Sequence, residues 1–169
     1  MNVGAASLGG NYSVGAAILA GLIGGVAFLA VVYMGLASGM TRMNFLWLLG
    51  SMVAPKAPRR AAYAFGLAIH MMASAAFGLI HAGILTAIDA TSVTSAAAWD
   101  VLIGGAHGVG VLVVLPMMLA MAHPLVRTGD IEKPRALLTG FGPMTPLGSL
   151  VAHVVFGLVT GSVYAAIVL

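Results

Sequence analysis

The chain has 169 residues, of which 61% are hydrophobic and 7% charged, with a formal net charge of +3. Soluble domains carry about 25% charged residues, so four acids and seven bases cannot cover the surface of a water-soluble globule of this length, and disorder is excluded as well. The bases are too few and too segregated to follow a nucleic-acid backbone, and the zero cysteine count removes disulfides, iron–sulfur clusters, thiolate zinc sites and cysteine nucleophiles.

What remains is an all-α, polytopic membrane protein in contact with a lipid bilayer. A crossing helix needs roughly 20 apolar residues, and four stretches qualify. The uncharged start, Met1 to Ser13, lacks the basic region of a cleavable signal peptide. The first span, Val14 to Ala37, is therefore expected to be retained; it carries a ladder of small residues at Ala17, Gly21 and Gly25. Met43 to Gly50 is too short to cross and contains Trp47, which favours the headgroup level, so it reads as a short interfacial helix. The second span, about Ala61 to Ile88, holds His70 and His81. The third, about Trp99 to Met121, holds His107, with Gly104 and Gly108 spaced for close packing. The fourth, about Pro146 to Leu169, holds His153.

All seven bases lie in two loops: Arg42, Lys56, Arg59 and Arg60 after span one, and Arg127, Lys133 and Arg135 after span three. Both loops should face the cytoplasm, with both termini on the opposite side. The chain also reads as a duplication. Gly21-Leu22-Ile23-Gly24-Gly25 matches Val101-Leu102-Ile103-Gly104-Gly105 at an offset of 80, and Phe77-Gly78-Leu79-Ile80 matches Phe156-Gly157-Leu158-Val159 at 79. The expectation is one domain over residues 1–169, a four-helix bundle of two parallel two-helix repeats, about 14–88 and 99–169.

Ionisable groups inside a bilayer are costly and point to function. At about 100° per residue, His70 and His81 share one face of span two with Ser74, and His153 shares a face of span four with Ser149, Thr160 and Tyr164. Helix depth suggests two levels, His70 with His153 and His81 with His107, each a candidate pair for haem ligation, although four packed helices leave little room for a macrocycle. The alternative is that each histidine donates to a neighbouring helix and no cofactor is bound. Apart from Met1, every methionine falls in the half nearest the basic loops. Met71, Met72, His70 and His153 could form a thioether–imidazole shell for copper, or the methionines could line a packing or docking surface. No acid is expected well inside a span: Asp100 is placed at the mouth of span three and Asp89 at the end of span two. No nucleophile with an orienting acid is evident, so no enzyme is expected.

Gly24-Gly25, Arg42-Met43-Asn44, Leu48-Leu49-Gly50-Ser51, His70 and Phe77-Gly78 together resemble a family of small prokaryotic four-span membrane proteins. The resemblance implies a prokaryotic cytoplasmic-membrane protein and carries no activity. The leading expectation is an accessory subunit of a larger membrane complex or homo-oligomer. It would contact partner subunits through its glycine faces and methionine-rich half. The alternatives are a haem or copper electron carrier and a small-solute channel or transporter.

Overall fold

The computed structural model describes residues 7–169; the first part of the uncharged start, residues 1–6, lies outside the described residues. Among the described residues six helices follow in order: α1 (Val14–Ala37), α2 (Phe45–Val53), α3 (Arg59–Ala87), α4 (Val93–Ala122), α5 (Pro124–Thr128) and α6 (Thr145–Val168), with a tight turn segment, Ala136–Phe141, before α6. Among the described residues α1, α3, α4 and α6 are long and apolar enough to cross a membrane. The protein is thus an all-helical, multi-pass membrane protein.

Local chemistry sets the helix starts. Ser13 caps α1 by accepting from the Ala16 amide, and Asn44 caps α2 by accepting from Trp47. Ser92 does the same for α4, accepting from Ser95 at 3.1 Å. That cap overturns the expected start of span three. Val93–Ala98, expected from the sequence to lie ahead of span three, forms the first turns of α4. Asp100 therefore lies about two turns inside the helix rather than at its mouth. Arg59 and Arg60 likewise belong to the first turn of α3, not to the preceding loop. The interfacial helix begins at Phe45 and runs on to Val53, slightly beyond the expected Met43–Gly50.

The long helices pack in the order α3, α1, α6, α4, while α3 touches α4 and α6 only slightly. Small residues permit this spacing. A methyl added to Gly21 would meet the Cα of Gly78 at 2.8 Å, and one added to Gly104 would meet the Cα of Gly157 at 3.2 Å. Gly25 abuts Ser74 and His70 of α3, and Gly108 abuts His153 of α6. Gly21, Gly25, Gly104 and Gly108 are all buried within the chain. Gly24 faces the other way, against Thr160 and Phe156 of α6. So Gly104, aligned with Gly24 in sequence, occupies the contact position of Gly21. α2 rests on α3 through Gly50 and Gly66, each against the backbone of the other helix.

The two ends differ. At one end residues 8–13 fold over the bundle: the Leu8 amide donates to Ala90, the Gly9 amide to Asp89 at 2.6 Å, and the Tyr12 hydroxyl to the Leu79 carbonyl. The fully buried Tyr164 hydroxyl joins the Ser13 amide and Thr86 there. The other end carries α2, α5, the turn segment and all seven bases. His123, 0% exposed, donates from Nε2 to the Leu48 carbonyl at 2.9 Å and thereby fixes α2 to the end of α4.

Candidate functional site

The intramembrane histidines do not form two separate levels. His81, His107 and His153 make one run of touching rings, with centroids 5.5 Å apart for His81–His107 and 4.9 Å for His107–His153. Rings in edge-on contact leave no slot for a macrocycle between His81 and His107. His70 and His153 lie against the same phenyl ring, Phe28, at 5.2 and 4.9 Å. Phe77 stacks on His107 at 3.9 Å and Phe156 meets His81 edge-on at 5.2 Å, so aromatic side chains fix the orientation of every imidazole.

Each histidine also has its own polar arrangement. His70 Nε2 donates to the Gly25 carbonyl of α1 at 3.0 Å, where the missing glycine side chain lets the ring reach backbone. His153 Nδ1 donates to the Ser149 carbonyl at 2.7 Å, which leaves Nε2 as the acceptor in the neutral ring. His107 Nδ1 is buried without a partner. His81 Nδ1 donates to Oδ1 of Asp100 at 2.6 Å, with the two side chains 1% and 0% exposed. The sequence places this acid at the start of the helix, whereas it is buried about two turns inside α4 and orients a histidine. Asp100 fits there because Gly157 and Gly161 of α6 leave room for it; a methyl on Gly161 would meet the Asp100 Cβ. The capping residue Ser92 is a sequence signal that places Asp100 inside α4.

His70, His107 and His153 line a cavity of about 420 Å³. It occupies the gap between α3 and α4, the two neighbours that barely touch, and runs from Phe77 and Phe156 toward Met40 and Met144 at the basic end. Its walls are almost wholly apolar, from Val31, Val32, Ala73, Val111 and Leu115, with Ser74, Ser149, Thr41 and Thr145 as the other polar groups. His81 lies behind this wall, reached through His107. Met71 and Met72 do not line the cavity, and Met72 is 65% exposed on the outer surface. They stand apart from His70 and His153 as a ligand set because they occupy other faces of α3. Among the described residues no group of three or more histidine, aspartate or glutamate side chains is disposed to hold a metal ion.

Comparison with family models, with curated proteins and with solved structures yields no match.

Proposed function

We propose that this is a non-catalytic binding or carrier protein of a prokaryotic cytoplasmic membrane, which takes up a small, largely apolar molecule bearing one polar end. The cavity carries the reading. A volume of about 420 Å³ with apolar walls and a few convergent polar groups is the ordinary character of a small-molecule site. The ligand's apolar part lies along Val31, Val111 and Leu115, and a terminal hydroxyl or amine engages Nε2 of His153. Entry is lateral, between α3 and α4. This makes the protein closest to the small-solute transporter among the three expectations.

The end carrying all seven bases faces the cytoplasm, as positive loops do. The chain is a tandem duplication of a helix–loop–helix unit. In support, the Gly21–Gly78 contact recurs as Gly104–Gly157, and Gly25 against Ser74 recurs as Gly108 against His153, with spacings of 83 and 79 residues between equivalents. A second reading, an accessory subunit within a larger assembly, is favoured by Met34, Met72, Met117 and Met121, all more than half exposed. Its glycine ridges, however, are used inside the chain.

The test is native mass spectrometry of protein extracted gently from its own membrane. The expected result is one small apolar molecule per chain, lost in Ala73→Phe, which fills the cavity, and retained in Ala76→Phe, on the outer face of the same helix. Finding only bulk lipid, or equal occupancy in both variants, would overturn the proposal.

A further inference from the structure

A second concavity lies on the opposite face of α4. Residues 111, 114, 115 and 118 face the histidine cavity, whereas Leu112, Val113, Pro116, Met117 and Ala120 form the wall of a groove of about 810 Å³. At 100° per residue these two sets point in opposed directions. The rim of the groove is formed by Arg127, Lys133 and Arg135, with Leu137 beside them. Among the described residues no carboxylate lines it. The two nearby acids are engaged elsewhere: Glu132 with Arg42 at 2.9 Å, and Asp130 as acceptor from Thr128. None of the three rim cations has an acidic partner among the described residues.

The backbone holds this arrangement at some cost. Arg135, Leu137 and Leu138 have φ of 53°, 52° and 67°, a left-handed conformation that side chains other than glycine adopt rarely. The result is that Leu138 is fully buried while Arg135 and Leu137 are turned outward onto the groove. Apolar helix surface below and three unpaired cations at the end of the span match one ligand chemistry, an anionic headgroup joined to acyl chains.

We propose that this groove seats one anionic phospholipid, its phosphate held by Arg127, Lys133 and Arg135 and its acyl chain lying along Val113, Met117 and Ala120. The proposal is independent of the histidine cavity. It can be tested on purified protein in neutral detergent by thermal unfolding with added phosphatidylglycerol, phosphatidylcholine or inorganic phosphate. Phosphatidylglycerol should raise the unfolding temperature and the other two should not. Apparent phosphatidylglycerol affinity should fall at least tenfold in the Arg127→Gln, Lys133→Gln, Arg135→Gln triple variant. It should also fall in Ala120→Trp, which blocks the acyl wall and leaves every charge in place. Arg59→Gln with Arg60→Gln, which removes charge from the same end outside the groove, should change it less than twofold. An equal shift with phosphatidylcholine or with free phosphate, or an equal loss in the Arg59 and Arg60 variant, would overturn the proposal. So would undiminished affinity in both groove variants.

Discussion

At the scale of single residues, the His81–Asp100 pair is the most exacting feature of the molecule. A carboxylate excluded from water is tolerated only with a partner, and removing one member of a buried pair typically costs 3–5 kcal/mol because the other is left uncompensated. His81→Phe is therefore expected to destabilise the folded protein by about 3 kcal/mol, read as a lowered unfolding temperature in detergent. His81→Phe combined with Asp100→Leu should recover part of that loss, and a strictly additive double variant would argue against the coupling. His123 makes a humbler contribution. His123→Ala removes the donor to the Leu48 carbonyl and should cost about 1–3 kcal/mol. Hydrogen exchange should show the loss concentrated in α2, and a uniform loss across the bundle would count against this role.

Among the elements, α1 and α6 are shared between two neighbours each, and small residues on two faces make that geometry feasible. Lipid supplies no hydrophobic drive for helix association, so close backbone approach must. Gly21→Leu places a side chain against the backbone of Ser74 and Gly78, which cannot move aside as a rotamer can. The expected cost is about 3 kcal/mol or more, with separation of α1 from α3 and a sharp fall in folded yield. Gly110→Ala, in a helix but with nothing within 4 Å of the new methyl, should be neutral or slightly stabilising. Equal behaviour of the two variants would remove packing as the explanation. The small-residue ladders were legible as packing ridges from their spacing alone. Which ridge meets which helix was not, because three- and four-residue spacings recur along α1 and each fits any partner of similar shape. The alignment offset of 80 for the first helices followed the longest run of identical letters, whereas the contacts follow 83, one turn away.

For the whole molecule, charge distribution and helix order combine. Since the chain contains no cysteine, single substitutions permit unambiguous labelling in intact cells. Lys56→Cys and Lys133→Cys should both be protected from a membrane-impermeant thiol reagent, and Thr91→Cys should be labelled. Opposite outcomes for the two lysine positions would contradict the helix order as well as the orientation. The packing order α3–α1–α6–α4 also explains where the cavity arises. In a symmetric pair of repeats the α3–α4 contact would match α1–α6, yet α1 and α6 are in close contact while α3 and α4 stand apart. The gap this leaves is the cavity. Of the candidate site, the four histidines were evident in sequence because ionisable groups stand out against an apolar background. Their mutual arrangement depended on helix rotation, and Asp100 was displaced by reading the capped first turn of α4 as a loop.

Sequence alone determined that this chain is helical and crosses a membrane, because length, apolar content and the scarcity of charge leave no other stable state for its backbone. It also determined that every base lies at one end, since loop position follows from span count. Tertiary structure decided which imidazoles touch, which acid is buried with them, and that two concavities flank α4. Those outcomes rest on interhelical rotation and distance, quantities set by contacts between residues far apart in the chain, which local periodicity does not encode.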